Sequence, residues 1–287
     1  MLFDLPKEQQ IELFGGLPRK SISRAASTNP VLPRWWIYTP FIQVVGSHLR
    51  TILIQGGTHS QAEQLSHKMR RFVWGGYPVV CLDQSGAATV SKSQNFYDCD
   101  NYERFVTRDR DILDKSGCNQ VIAYGSSIGA AASIALAAEE PERVAAVIAV
   151  NPASLIRQNP WWVTLKFALS SFQKVEKDFT PPATIRPSFR EALREGLGGT
   201  KDLVASDIGL NYLSRVRCPV FIYTGEHDYV FPQQQLVKLG RQFPNVRVSV
   251  MQGWIHSDPN SRWKIQSLTT GFFDRFNKLE GFLPDPP

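Results

Sequence analysis

Cysteine is scarce in this 287-residue sequence, and its four copies, Cys81, Cys99, Cys118 and Cys218, lie far apart. That spacing excludes both the paired ligands of a zinc site and the density of a disulfide scaffold, so reduced thiols in a cytosolic protein are expected. No stretch approaches the roughly 18 uninterrupted apolar residues of a membrane span. The N-terminal MLFDLPKEQQIELF lacks a basic segment followed by an apolar one. Membrane insertion and secretion are therefore not expected, and a cytoplasmic location is. Runs of like charge are missing as well: the formal net charge is +6, but Lys and Arg never gather in runs of five or more. Nucleic acid is accordingly not expected as a partner. The histidines His48, His59, His67, His227 and His256 show no HxxxH or HExxH spacing, so no metal is expected. There is no G-x-G-x-x-G and no P-loop, hence no cofactor.

What is present is ample material for a core. Hydrophobic residues make up 43% of the chain, enough at this length for one large domain. Residues 1–30 mix charge, glycine and proline and read as a peripheral arm, with a short helix near Glu8 to Phe14. From Arg34 onward short apolar runs alternate with amphipathic stretches: WWIY, FIQVVG, TILIQ, YPVVCLD, QVIAYG, VAAVIAV, PVFIYTG and VRVSVM. Several are continuously apolar, as strands covered on both faces are. Between them, Leu65, Met69 and Phe72, and then Tyr102, Phe105, Ile112 and Leu113, stand near helical spacing. The expected fold is α/β: a mostly parallel central sheet with helices on both faces, formed by residues 31–150 and 212–287. The alternation stops after Val150, and residues 151–211 read as an inserted, mainly helical cap. A last helix is expected through Trp263, Ile265, Leu268, Phe272, Phe273 and Phe276.

Gly125-Ser126-Ser127-Ile128-Gly129 is the sharpest local signal, because the strand QVIAY precedes it and the small-residue stretch AAASIALAAEEPE follows. A G-x-S-x-G nucleophile elbow requires that strand, turn and helix context. The turn holds its serine in strained geometry, so the residues two before and two after must be small. It also leaves Ser127 at a helix N-terminus, with the Ile128 N–H facing a developing oxyanion. The competing structural reading is a glycine-rich turn in which Ser126 or Ser127 merely caps the helix.

From Arg34 to its end the sequence resembles the α/β-hydrolase family, in which nucleophile, acid and histidine follow in that order. The resemblance places Asp228, in RCPVFIYTGEHDYVFP, in the acid position and His256, in VRVSVMQGWIHSDP, in the base position. Glu226 and Asp258 are rival carboxylates, and His227 is a rival histidine. Other family members carry the acid one strand earlier, where this chain has Asn151 and Pro152. Gln55-Gly56-Gly57-Thr58 resembles the family's His-Gly oxyanion turn with glutamine in place of histidine, which implies the Gly57 N–H as second oxyanion donor. Thr58 or His59 could supply the local hydrogen bonding that the histidine usually gives. Leu82 to Gly86 resembles a structural Asp-x-x-Gly turn.

The implied function is hydrolysis of a carboxylic ester, or a related acyl bond, of a small hydrophobic molecule through a Ser127 acyl-enzyme. Trp161, Trp162, Leu165, Phe167, Leu169 and Phe172 form an apolar concentration in the cap. They either wall the substrate site, with Trp161, Trp162 and Thr58 as contacts, or bury the cap against the core. The same triad serves C–C bond, thioester, lactone and amide hydrolysis and acyl transfer to other acceptors. A ligand-binding protein without turnover, or a scaffold acting through its basic surface, completes the alternatives. Oligomeric state is not legible.

Overall fold

The computed structural model describes residues 23–25, 35–38, 50–57, 77, 79–82, 101–159, 161–162, 165, 208–228 and 230–255. Among the described residues eight strands form one sheet: β1 (Ser23–Ala25), β2 (Trp35–Tyr38), β3 (Thr51–Gln55), β4 (Val79–Leu82), β5 (Val121–Ser126), β6 (Val144–Val150), β7 (Val220–His227) and β8 (Val246–Ile255). Their order is β1-β2-β4-β3-β5-β6-β7-β8. The six strands from β4 to β8 are mutually parallel, while β1 and β2 are antiparallel additions at one edge. Among the described residues the helices with full bounds are α1 (Asn101–Ser116), α2 (Ile128–Glu139), α3 (Ile208–Leu213) and α4 (Gln233–Gly240).

Continuous apolar runs become central strands because both of their faces are shielded from water. Leu53, Val80, Val121, Ala123, Val147, Ala149, Val220 and Ile222 face one core cluster together with α1, α2, α3 and α4. Their neighbours of opposite parity, Ile52, Ile54, Val79, Ile122, Ala146 and Ile148, are equally buried, so the second face is covered too. Each such Val, Leu or Ile side chain contributes about 1.5–3 kcal/mol by leaving water.

The central helix, α2, has no amphipathic stripe: every residue from Ile128 to Ala137 is buried. A helix apolar all round belongs inside a core, and its alanines let it lie close to β5 and β6. It is flanked by α1, whose Tyr102, Phe105, Val106, Ile112 and Leu113 turn inward, and by α3, whose Tyr212 ring stands 5.8 Å from that of Tyr102.

Two boundaries differ from the sequence expectation. The segment assigned to a peripheral arm contributes β1, which pairs through Ser23, Arg24 and Ala25 with β2. The segment assigned to the cap is tied into the core at both ends: Ala153 and Leu155 at its start and Ile208 and Leu210 near its close pack on the main cluster. The helices expected at residues 8–14, 61–72 and 263–276, the strand FIQVVG and residues 166–207 lie outside the described residues.

The loop after β6 is anchored by a buried hydrogen bond, 2.7 Å long, from the Tyr102 hydroxyl to Ser154 Oγ, where Ser154 takes a left-handed backbone, φ 60°. Burial holds the Tyr102 phenol far above its ordinary pKa, so it stays a neutral donor. Tyr102→Phe removes this donor at constant shape, and the expected loss is about 1 kcal/mol, measured as a lower urea midpoint with an unchanged slope.

Candidate active site

Ser127 sits at the turn between β5 and α2 with φ 53° and ψ −117°, a conformation that a non-glycine residue adopts only under compulsion. Such strain is worth about 1–3 kcal/mol. Its neighbours impose it: the Ser127 N–H donates to the Val150 carbonyl at 2.9 Å, and its carbonyl accepts from Ala153 at 3.1 Å and Ala130 at 3.1 Å. A serine serving as a helix cap has an extended backbone and turns its hydroxyl onto the following N–H groups. Ser127 does neither, since its side chain makes no capping bond.

The two glycines of the motif are required by contact. A Cβ on Gly125 would lie 2.5 Å from the Ala130 nitrogen and closer still to the Gly129 carbonyl. A Cβ on Gly129 would lie 2.5 Å from the Gln55 carbonyl oxygen and closer still to that of Gly56. The second contact joins two parts of the site, because it presses the first turn of α2 against the end of β3, where Gly56 and Gly57 begin. Ile128 and Gly129 open α2, where backbone N–H groups have no intrahelical acceptor and the helix dipole favours negative charge. Ser127 and Gly57 are both partly exposed, next to the buried Ile128 and Gly56.

The adjoining strand ends complete one edge. Asn151 follows β6 with φ 45°, its N–H donates to the Tyr223 carbonyl at 2.7 Å, and its Oδ1 accepts from Gly225 N–H at 2.9 Å. It is thus fully engaged in joining β6 to β7. At the end of β7, Asp228 is buried, and its Oδ1 accepts from the N–H groups of Val230 at 2.8 Å and Phe231 at 2.9 Å. The rivals in the same stretch differ: Glu226 and His227 have side chains 39% and 65% exposed and face each other at 3.8 Å. The last pair in the β7–β8 ladder is His227 with Ile255, the residues immediately before Asp228 and His256. His256, Thr58, His59 and Asp258 themselves lie outside the described residues.

At the start of the expected cap, Asn159 Oδ1 accepts from the N–H groups of Trp161 at 3.0 Å and Trp162 at 3.4 Å, opening a helical turn. Trp161 is 65% and Trp162 56% exposed, so neither buries the insertion against the core. Among the described residues no group of His, Cys, Asp and Glu could hold a metal ion, and no helix is long and apolar enough to cross a membrane. Burial pushes the Cys218 thiol up to about 12, which makes it a poor nucleophile.

A buried polar group beneath the site was not anticipated from the sequence. Arg108 and Asp109 of α1 are almost wholly buried and paired at 2.5 Å, and Arg108 also reaches Gln55. One signal was available: counted from Tyr102 at helical spacing through Phe105 and Ile112, Asp109 falls on the apolar stripe of its own helix.

Comparison with known proteins agrees with this architecture. The family model for serine aminopeptidase, S33, matches residues 46–195, just over half of the chain. No curated protein matches the sequence. Among solved structures, a carboxylesterase of Bacillus subtilis is similar at 13% identity and a TM-score of 0.58, covering 95% of this chain and 94% of that one. A carboxylesterase structure from the thaumarchaeon Nitrososphaera gargenis is similar at 17% identity and a TM-score of 0.56, with 87% and 96% covered. The 2-hydroxy-6-oxo-6-phenylhexa-2,4-dienoate hydrolase of a Rhodococcus species is similar at 14% identity and a TM-score of 0.62, with 85% and 94% covered. At these identities the structures share the fold, and the family match adds the class of chemistry: the chain belongs to the serine aminopeptidase, S33, family of α/β-hydrolases.

Proposed function

We propose that this hydrolase cleaves a carboxylic ester, or a related acyl bond, of a small hydrophobic substrate by way of a Ser127 acyl-enzyme. The observation that carries the proposal is the backbone of Ser127, φ 53° with no capping bond. A left-handed non-glycine backbone at the turn between strand and helix supports a side chain held for chemistry rather than for capping. Support for the partners comes from the sheet: the His227–Ile255 pairing sets the chain positions leading into Asp228 and His256 side by side, and Asp228 is the buried carboxylate of its loop.

In this reading Ser127 Oγ attacks the acyl carbon while His256 accepts the hydroxyl proton. The carbonyl π electrons move onto oxygen, which the Ile128 and Gly57 N–H groups receive. Collapse of the tetrahedral species expels the alcohol, protonated by His256. Water, deprotonated by the same imidazole, then attacks the acyl-enzyme, releasing the acid and restoring Ser127. Asp228 holds the imidazole in the right tautomer and stabilises its charged form. The core expected at 31–150 and 212–287 is extended by β1 and by both ends of the intervening segment, the cap lies within 151–211, and Thr58, Trp161 and Trp162 contact the substrate. The exposure of both tryptophans supports an apolar surface available to a ligand. The protein works without a cofactor, on a small molecule rather than nucleic acid, in the cytoplasm.

Wild type treated with a fluorophosphonate probe is expected to gain one label by intact mass, and Ser127→Ala none. Hydrolysis of p-nitrophenyl esters should fall by about 10³-fold or more in Ser127→Ala and His256→Ala. A parallel panel of aminoacyl p-nitroanilides, thioesters and lactones ranks the acyl bonds. Folded wild type that takes no label and leaves a bound ester intact is the result expected of a binding protein, and it would sink the proposal. Activity carried by a neutral imidazole should also decline toward acid pH, as the base takes up a proton. A kcat/KM profile flat down to pH 5 would remove His256 from the base role.

A further inference from the structure

Gln55 is the last residue of β3, and its side chain is wholly buried and held at both ends. Arg108 Nη2 donates to Gln55 Oε1 at 2.7 Å, and Gln55 Nε2 donates to Ser133 Oγ of α2 at 3.3 Å. A guanidinium has donors only, so the amide oxygen must face Arg108 and the amide plane has one orientation. Arg108 is itself held by Asp109, Nε to Oδ1 at 2.5 Å. The other carboxylate oxygen, Asp109 Oδ2, is buried without a hydrogen-bond partner. This is a poor stabilising device: a buried ion pair is rarely better than apolar packing, and an unpartnered polar atom is a net cost. Burial raises the Asp109 pKa in spite of the opposing pull of the Arg108 cation and of the Gln55 amide.

The arrangement has a use at one place. The next residue after Gln55 is Gly56, whose carbonyl backs onto Gly129 at the start of α2, and then comes Gly57. The backbone entering the turn is therefore fixed by its own contact with α2 and by a side chain locked between α1 and α2. Glutamine, standing where the resembled family has histidine, offers an acceptor oxygen and a donor NH2 on a rigid plane, and each makes a hydrogen bond.

We propose that Arg108, Asp109 and Ser133 are positioning residues which, through Gln55, aim the Gly57 N–H at the oxyanion. The proposal rests on the acyl-transfer reading above. A turn rotated by loss of these bonds still binds substrate but meets the developing charge poorly, so the effect falls on kcat rather than KM.

Gln55→Met keeps the length and volume of the side chain and removes both bonds. It is expected to lower kcat for a p-nitrophenyl ester by about 10- to 100-fold, part of the loss seen when an oxyanion donor is deleted, with KM within threefold. Its affinity for a trifluoromethyl ketone that forms a tetrahedral adduct should fall by the same factor as kcat. Ser133→Ala removes one bond only and should shift both quantities in the same direction by a smaller factor. If Gln55→Met does not fold, as judged by circular dichroism, Ser133→Ala decides by the same pair of readouts. A folded variant with kcat and ketone affinity within twofold of wild type, or a change confined to KM, overturns the positioning role and leaves the Ser127 chemistry standing. Wild type that neither labels with fluorophosphonate nor turns over ester overturns both.

Discussion

A helix packed on a sheet is normally held away from it by the side chains between them, but at the first turn of α2 there are none. Gly125 and Gly129 bring the backbone of β5 and α2 together, and Gly129 in turn meets the carbonyls of Gln55 and Gly56. The three segments form one rigid unit in which no side chain can relax. Their separation in sequence, about seventy residues between β3 and β5, matters little because the Gln55–Gly125 register of the parallel ladder fixes them side by side. Much else follows from this approach. A helix so close must be thin, which explains the alanines of α2, and it must be buried along its length, which explains why that helix has no polar stripe.

The same closeness distributes strain and its support. Ser127 is left-handed in φ at the elbow, and so are Asn151 and Ser154 in the loop after β6. The three are linked: Ser127 N–H reaches Val150, the Ser127 carbonyl receives Ala153, and the Tyr102 hydroxyl reaches Ser154. Left-handed residues cluster where the surrounding structure over-determines them. Here the determining partners are the ends of β6 and β7, with the Asn151 side chain closing the gap to Gly225. The C-terminal edge of a parallel sheet is where ligands bind in this class of fold, and in this chain that edge is also where the backbone is most constrained.

Some of this was legible in the sequence for clear reasons. Central strands announce themselves because burial on both faces demands continuous apolar runs, as in VAAVIAV. The elbow announces itself because only glycine survives at positions 125 and 129. Edge and loop features lack such compulsion. The strand at Ser23–Ala25 is held by backbone pairing at the sheet edge, which leaves no trace in a stretch reading SRA. Ala153 and Leu155 belong to the core, yet NPASLI reads as a loop leaving the domain, since the fold-back depends on hydrogen bonds to residues far away in the chain. The buried pair Arg108 and Asp109 left only one trace, the place of Asp109 on the apolar stripe of α1, because its partner Gln55 is 53 residues distant and neighbours in a helix do not normally pair with each other.

That pair also separates stability from geometry. If the space beneath β3 needed only to be filled, leucine or methionine would do it at lower free energy, with no unpartnered oxygen. Apolar packing, however, is tolerant of small rotations, since many arrangements fill a volume almost equally well. Hydrogen bonds are not, because their strength falls steeply with angle. A glutamine gripped at both ends therefore transmits orientation in a way that an aliphatic side chain cannot. The turn it leads into has two glycines in succession and little stiffness of its own. A turn that aims the Gly57 N–H as proposed has to borrow rigidity from its surroundings, and the buried polar group at Gln55, together with the Gly129 contact, can supply it.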